Sequence, residues 1–199
     1  EPTTDPFARQ LAWREFCADV LWHRPQAAWA SLDERFDTDM EYSADQAHFA
    51  AWQQGRTGYP FVDAGMRQLL AEGWMHNRLR MVTASFLIKD LHLPWQWGAA
   101  WFMKHLVDGD VANNQLGWQW VAGCGTDAAP YFRIFNPVTQ GKKFDPDGTF
   151  IRRYVPELAD VPDPHEPGIF AADYPAPIVD HGREREVALA RFQALPPAQ

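Results

Sequence analysis

The sequence lacks several features that would point to particular protein classes. Among its 199 residues, no apolar run approaches the roughly 18 residues of a membrane-spanning helix. It has only two cysteines, Cys17 and Cys124, which argues against a disulfide framework and against a zinc site. We therefore expect a cytoplasmic protein with no membrane segment and no bound metal.

Basic residues are also scarce. The net charge is −8, which taken alone argues against a nucleic-acid partner. The charge is uneven, however, because it is −6 over residues 1–51, +3 over 52–153 and −5 over 154–199. A basic middle between acidic ends is compatible with a local phosphate-binding face.

Tryptophan, in contrast, is abundant, with 10 residues beside 13 Phe and 5 Tyr. Large aromatic side chains fill cores, and they also build sites for flat ligands such as flavins and nucleobases. The composition therefore predicts an aromatic core, an aromatic ligand site, or both.

Helical spacing recurs along the chain, whereas alternation with a period of two is rare. This pattern predicts an all-α fold with one domain over residues 1–199. Gly and Pro are frequent beyond residue 122, which indicates loops and short helices, and five prolines between Val161 and Pro177 predict an extended surface strap. Residues 161–199 would then form a strap and a closing helix. The predicted helices run from 7 to before Pro25, then over 46–54, 62–70, 77–91, 95–107, 111–121 and 184–192.

A first polar cluster lies in the predicted helix that starts at Asn77. Asn77, Arg80 and Met81 are spaced i, i+3 and i+4, so they share one face of that helix. An amide, a guanidinium and a thioether on one face suit a planar polar ligand. Spacing alone nevertheless favours an ordinary helix in which Arg78 and Arg80 are solvated.

Asp108 and Asp110 flank a glycine, which fits a metal corner, a catalytic pair or a helix N-cap. The cap is the commonest of these, and Asp110 directly precedes a predicted helix. One of the acids could also pair with Arg80. Further along, Trp118 and Trp120 point to different sides of their helix, and spacing alone favours core packing of both indoles.

Six short segments, with a seventh near the C-terminus, occur in an order that resembles the photolyase/cryptochrome family. They are 13–16 (WREF), 55–63 (GRTGYPFVD), 74–78 (WMHNR), 108–110 (DGD), 118–120 (WQW), 133–137 (RIFNP) and 174–179 (YPAPIV). The resemblance is to the helical flavin-binding domain of class I DNA photolyases. It implies a multi-helical bundle that holds FAD folded into a U. It also implies light-driven repair of cyclobutane pyrimidine dimers in UV-damaged DNA, on a dimer flipped out of the duplex.

The resemblance assigns FAD contacts to individual residues. Arg80 and Asp108 would form an ion pair beside the isoalloxazine, and Asn114 would face the flavin N5. The full set of implied FAD contacts is Arg14, Trp74, Asn77, Arg80, Asp108, Asp110 and Asn114.

The resemblance also implies residues for the lesion and for electron transfer. Trp13 and Trp120 would sandwich the dimer by stacking. Trp118 and Trp95 would carry electrons to the flavin, with Tyr42 in the place of the outermost tryptophan. The implied DNA-binding residues are Gln10, Trp13, Arg78 and Trp120, and the implied catalytic residues are Trp13, Asn77, Met81 and Trp120.

Some positions indicate which branch of the photolyase/cryptochrome family the sequence resembles, and others depart from the family pattern. Asn77 and Asn114 favour dimer repair over other branches of the family. Gln10 stands where many dimer photolyases have a glutamate, and Phe7 replaces a tryptophan near the flavin. Tyr42 is a harder one-electron donor than tryptophan unless its proton can leave, so we expect slower photoreduction or another electron exit.

The sequence opens at residues 1–3 without a methionine, and we expect it to belong to a longer protein. Family members have an N-terminal α/β domain that holds an antenna chromophore, and a Thr/Ser-rich clamp for the FAD phosphates. Neither occurs in this sequence. We therefore expect an antenna chromophore only through that domain, weakened FAD binding by the chain alone, and a monomer.

Other functions remain open at this point. A cryptochrome-like blue-light receptor would bind FAD without repairing DNA, and an isolated scaffold would bind neither. A carbohydrate-active enzyme is disfavoured, because Asp108 and Asp110 are too close in sequence to bracket a glycosidic bond with about 5–9 Å between carboxyl groups.

Overall fold

A computed structural model describes residues 5–126 and 132–197, and all regular structure in these ranges is helical. This confirms the all-α prediction. None of the described helices is long and apolar enough to cross a membrane. Short 3-10 turns lie at Pro25–Ala28, Pro156–Leu158 and Gly168–Phe170. The α-helices are α1 (Pro6–His23), α2 (Arg35–Thr38), α3 (Gln46–Gln53), α4 (Pro60–Glu72), α5 (Asn77–Lys89), α6 (Trp95–His105), α7 (Val111–Ala122), α8 (Pro137–Phe144), α9 (Thr149–Tyr154) and α10 (His181–Ala194).

The predicted helices are present, and their ends differ for local reasons. The third predicted helix, α4, begins at Pro60 rather than at residue 62, because proline suits the first helical position, where no N–H partner is needed. The last begins at His181 rather than at residue 184, because Asp180 accepts a hydrogen bond from the backbone N–H of Arg183 at 2.8 Å.

Aspartate or asparagine side chains cap the N-termini of several helices. Each accepts a hydrogen bond from a backbone N–H of the first turn, a group that has no partner within the helix. Asp110 accepts from the N–H of Asn113 at 2.8 Å, so its interpretation as an N-cap is confirmed. The capping residues are Asp5, Asp45, Asp110, Asn136 and Asp180.

The core lies between α4, α5, α6 and α7. Helix α5 buries nine of its 13 residues, and the side chains of Trp52, Trp95 and Phe102 are almost completely buried nearby. Burial of this apolar surface is the main favourable term in folding. Helix α1, in contrast, buries none of its described residues and lies against α7. It therefore forms the wall of a cleft rather than part of the core.

The segment between α9 and α10 contains turns but no α-helix, and it is anchored to the start of α4. The N–H of Ile178 donates to the carbonyl of Thr57 at 3.0 Å. The hydroxyl of Tyr59 donates to the carbonyl of Val179 at 2.8 Å. Tyr174 is buried within the segment. The predicted surface strap therefore also contributes side chains to the interior.

Candidate functional site

One cavity of about 430 Å³ lies where α1, the first turns of α5, the end of α6 and α7 meet. This volume is within the range of roughly 300–1,000 Å³ for small-molecule and cofactor sites. Most of the site residues implied by the sequence line it, although they are far apart in the chain. These lining residues are Gln10, Trp13, Asn77, Arg80, Met81, Asp108, Asp110, Asn114, Trp118 and Trp120.

An ion pair between Arg80 and Asp108 lies at this cavity. One guanidinium nitrogen of Arg80 donates to both carboxylate oxygens of Asp108, at 2.9 and 2.7 Å. The Nε of Arg80 donates to the carbonyl of Met75 at 2.7 Å, which fixes the plane of the guanidinium. Because both side chains are partly exposed, the pair keeps hydrogen-bonding capacity for a ligand.

Helix α7 supplies the polar wall of the cavity. Its N-cap Asp110 lines the cavity as well as capping the helix, so the structural and ligand-facing interpretations are compatible. Burial, and the nearby Asp110 carboxylate, raise the pKa of the Cys17 thiol on the opposite wall, which is therefore neutral. Within the described parts of the chain, no group of three or more His, Cys, Asp or Glu side chains could hold a metal ion.

Two indoles face the cavity from different helices. Trp13 on α1 is half exposed, and its ring meets Phe16 edge-on with 5.7 Å between centroids. Trp120 on α7 is partly buried, and the guanidinium of Arg133 lies 5.7 Å from the centroid of its ring. Two indoles at one cavity suit a flat ligand such as a base.

Three residues to which the resemblance assigns FAD or DNA contacts do not line the cavity. Arg14 is exposed and pairs with its neighbour Glu15 at 2.9 Å. Trp74 is 42% exposed. The guanidinium of Arg78 lies over the ring of Phe144, 4.7 Å from its centroid. The FAD contacts of Arg14 and Trp74, and the DNA contact of Arg78, thus remain predictions about surfaces outside the cavity.

The implied electron donors lead away from the cavity into the core. Trp118 lines the cavity and is otherwise buried, whereas Trp95 is fully buried and donates to the hydroxyl of Ser31 at 3.0 Å. The hydroxyl of Tyr42 is buried and has no hydrogen-bond partner among the described residues. Burial raises the pKa of Tyr42 well above its ordinary value, so release of its proton is disfavoured.

Sequence reasoning missed the residues that hold Trp118 in place. Its ring lies 5.0 Å from that of Phe102 and 6.1 Å from that of Trp52, between centroids. It also covers Gly98, where a Cβ would lie only 2.1 Å from the indole. Helical spacing gives no signal for contacts between α3, α6 and α7. Spacing could have found Phe16, which follows Trp13 by three residues on the same face of α1.

Comparison with known proteins decides the family. Residues 7–194 match the family model described as the FAD binding domain of DNA photolyase. The chain belongs to this family of photolyase FAD-binding domains. Deoxyribodipyrimidine photo-lyases of Escherichia coli K12 and Streptomyces griseus are 52% and 53% identical to it, over 200 and 197 residues. The matches cover 93% and 95% of this chain but only 41% and 42% of those relatives, so the chain spans about two fifths of their length.

Solved structures related to the photolyase family share the fold. A bacterial class III photolyase from Agrobacterium tumefaciens is 48% identical with a TM-score of 0.89, covering 95% of this chain and 42% of that protein. A cryptochrome from Synechocystis sp. PCC6803 is 34% identical with a TM-score of 0.86, covering 96% and 43%. A photolyase and a cryptochrome thus both share this fold.

The description of the matching family names FAD as its ligand. The cavity suits the flavin part of this cofactor. A Cβ on Gly117 would meet no atom within 4 Å, so the missing side chain leaves free space at this wall. Arg80 and Asp108 offer a donor and an acceptor for a polar ring edge. The side-chain oxygen of Asn114 accepts no hydrogen bond from the described residues, although its nitrogen is fully used. The residues present therefore fit a flat heterocycle with a polar rim.

Proposed function

We propose that this chain binds FAD in the cavity and carries the site for light-dependent repair of cyclobutane pyrimidine dimers, the deoxyribodipyrimidine photolyase activity. The main support is that one cavity is lined by an ion pair, by two indoles and by an amide whose oxygen accepts no hydrogen bond from the described residues. These groups come from α1, α5, the loop before α7 and α7, so only the folded chain brings them together.

The polar wall of the cavity would hold the flavin. Arg80 and Asp108 would bind its polar edge, and Asn114 and Asp110 would border it from the start of α7. Arg14 and Trp74 would contact parts of FAD that extend beyond the cavity. Once bound and reduced, FAD would supply a light-excited electron that splits the dimer and then returns to the flavin.

The aromatic wall would hold the lesion. A dimer flipped out of the duplex would stack between Trp13 and Trp120, which replaces the base stacking that the duplex loses. Asn77, Met81 and Gln10 would line this part of the cavity with neutral groups. The guanidinium of Arg78 lies outside the cavity and would bind the DNA backbone. UV-damaged DNA is thus the proposed partner.

The buried aromatic residues would supply electrons to the cavity. Trp118 borders the cavity, and Trp95 and Tyr42 would follow it as more distant donors. To act as a donor at low energetic cost, Tyr42 would have to release its proton. Its hydroxyl has no partner to receive that proton among the described residues. We therefore expect electron supply through Tyr42 to be slow.

A cryptochrome-like blue-light flavoprotein without repair is the second candidate. It is favoured by the surroundings of Tyr42 and by Gln10, which gives the lesion side of the cavity no negative charge. Both candidates predict bound FAD, and only the photolyase predicts repair.

Three further expectations accompany the proposal. The free state of Cys17 and Cys124 fits a reducing, cytoplasmic compartment. A monomer is expected, because the proposed site needs no second copy of the chain. We assign FAD alone to this chain, and an antenna chromophore would bind through a separate α/β domain.

The experiment is FAD retention followed by a repair assay on the same sample. The purified chain is incubated with FAD, freed of excess and examined for the visible absorption of bound flavin. The flavin is then reduced, and an oligonucleotide with one pyrimidine dimer is added in blue light or in darkness. Dimer loss that requires both light and FAD would support the photolyase. FAD retention without dimer loss would favour the receptor, and no retention would refute the FAD site in this chain.

A further inference from the structure

Two glutamines one turn apart on α7 tie this helix to the turn that follows α1. The amide nitrogen of Gln119 donates to the carbonyls of Ala27 and Ala30, at 2.9 and 3.2 Å. The amide nitrogen of Gln115 donates to the carbonyl of Ala28 at 2.6 Å. Both side chains therefore hold the same turn, but they differ in what their oxygen atoms contact.

The oxygen of Gln115 accepts a hydrogen bond from Nδ2 of Asn114 at 2.8 Å. The same Nδ2 donates to the carbonyl of Ala99 on α6 at 3.0 Å. A carbonyl oxygen can only accept, so both hydrogens of the Asn114 amide are in use. The carbonyl of Ala28 sets the orientation of Gln115 in the same way. The contacts from Ala28 through Gln115 to Asn114 thus allow one orientation of each amide.

This orientation turns Oδ1 of Asn114 away from Gln115 and Ala99. Asn114 lines the cavity, and its Oδ1 accepts no hydrogen bond from the described residues. Gln115 does not itself line the cavity. It therefore acts on the cavity through Asn114, by deciding whether the amide presents an acceptor or a donor there.

We propose that Gln115 is a positioning residue, which holds the acceptor oxygen of Asn114 toward the cavity and so favours a ligand that offers an N–H. The inference rests on the proposed function, in which Asn114 faces the flavin N5. That nitrogen carries a hydrogen only when the flavin is reduced. Gln115 therefore favours the reduced cofactor, and its loss leaves the carbonyl of Ala99 as the single described acceptor that holds the Asn114 amide in this orientation.

The test compares Gln115→Met with Gln119→Met, which each remove one amide from the same helix and keep side-chain length. In the cofactor-free chain, labelled with nitrogen-15, nuclear magnetic resonance measures solvent exchange of the Asn114 amide hydrogens. We expect faster exchange in Gln115→Met and unchanged exchange in Gln119→Met. In the FAD-loaded chain, Gln115→Met should lower the preference for reduced over oxidised flavin about tenfold, or about 30 mV in the two-electron potential.

Gln115→Glu is the conservative variant. Its carboxylate still accepts from Asn114 but offers no donor to the carbonyl of Ala28, so exchange at Asn114 should stay slower than in Gln115→Met. Equal exchange in the native chain and in Gln115→Met would overturn the inference. So would an equal shift of potential in Gln119→Met. If the native chain does not retain FAD, the proposed function fails, while the exchange rates still show whether Gln115 holds Asn114.

Discussion

Two carboxylates of this chain, Asp63 and Asp108, have opposite surroundings. Asp63 is fully buried and accepts four hydrogen bonds, two from Thr57, one from a glycine N–H and one from the hydroxyl of Tyr174. Asp108 is 47% exposed and binds Arg80 at the edge of the cavity. The first group is satisfied by the fold itself, whereas the second has capacity left for a ligand. The number of hydrogen bonds made within the fold thus distinguishes side chains that stabilise the structure from side chains that can still bind a ligand.

The same contrast runs along helix α5. Its first turns carry Asn77 and Arg80, which line the cavity. Its last turn ends on Lys89 and is followed by Asp90, and both are almost completely buried. Asp90 binds the imidazole of His181 at the start of α10, at 2.5 Å. Substitutions at the start of α5 should therefore change ligand binding more than stability, and substitutions at its end should do the reverse.

The largest expected effect is a loss of stability in Asp63→Ala. The substitution leaves the hydroxyl and N–H of Thr57, the N–H of Gly58 and the hydroxyl of Tyr174 without an acceptor in the interior. At about 1–3 kcal/mol for each unsatisfied buried group, the free energy of unfolding should fall by more than about 3 kcal/mol. Urea unfolding followed by circular dichroism measures this. Tyr174→Phe removes one donor and should cost about 1 kcal/mol, so equal losses in both variants would contradict the comparison.

The next largest effect is on FAD affinity, in Asp108→Asn. Arg80 would lose its charged partner at the cavity, and a hydrogen bond to a charged group contributes about 1.5–3 kcal/mol. We expect the dissociation constant for FAD, measured by fluorescence titration, to rise about tenfold or more. Stability should change by less than about 1 kcal/mol, because the pair is partly exposed.

Glu157→Gln is the matched control for this prediction. Glu157 binds Arg67 at 2.7 Å, in an ion pair of similar exposure that does not line the cavity. The variant should leave FAD affinity unchanged. A similar loss of FAD affinity in both variants would mean that general destabilisation, and not the loss of a ligand contact at Asp108, weakens FAD binding.

Much of the fold could be predicted because its signals are local. Helical spacing located the long helices, and Asp110 was recognisable as an N-cap from its place before α7. Prolines and aspartates at the helix starts explain why the observed ends differ slightly from the expected ones. The burial of Tyr174 could not be predicted, because its partner Asp63 lies 111 residues earlier and forms no pattern with it in the sequence.

The site was predictable only where family motifs marked it. Arg80 and Asp108 were expected to pair, and they do. Gln115 was not expected, because its role comes from a carbonyl 87 residues away and from a neighbour whose amide it orients. Trp52 was missed because it lies on α3 and contacts Trp118 on α7, 66 residues later in the chain. Such residues act through distant contacts, which neither periodicity nor a short motif encodes.

A smaller effect is expected on binding of damaged DNA, in Trp13→Ala and Trp120→Ala. Stacking of a base on an aromatic ring contributes about 1–3 kcal/mol, so each variant should weaken binding of a dimer-containing oligonucleotide about tenfold. Electrophoretic mobility shift of the FAD-loaded chain measures this. Trp22→Ala is the control, because Trp22 is on the same helix as Trp13, is 81% exposed and does not line the cavity.

The two variants should differ in stability, because Trp13 is half exposed and Trp120 packs against the core. Trp13 lies on a helix that buries none of its described residues, so Trp13→Ala should leave unfolding unchanged. Trp120 packs against the core, so Trp120→Ala should lower the free energy of unfolding as well. Unchanged DNA binding in both variants would refute the proposed lesion site.

The smallest expected effect, counted per pH unit, concerns the pH dependence of stability and the buried side chain of Lys89. Its ammonium donates to the carbonyl of Arg133 at 2.5 Å and lies 3.9 Å from the ring centroid of Phe132. Burial is the main cause that lowers the pKa of Lys89 from 10.5 to about 7. The charge of Arg133 acts in the same direction, whereas Cys124 and Asp90 oppose it.

The pKa of Lys89 is lower in the folded chain than in the unfolded chain, and this fixes the direction in which the free energy of unfolding changes with pH. Between about pH 7 and pH 10.5 the unfolded chain holds a proton that the folded chain has lost. The free energy of unfolding should therefore rise with pH in this window, by at most about 1.4 kcal/mol per pH unit. Urea unfolding at several pH values should show that Lys89→Met removes this rise. Arg80→Met, at the open end of the same helix, should keep the rise and weaken FAD binding instead, and the opposite pattern would reverse the assignment of the two ends of α5.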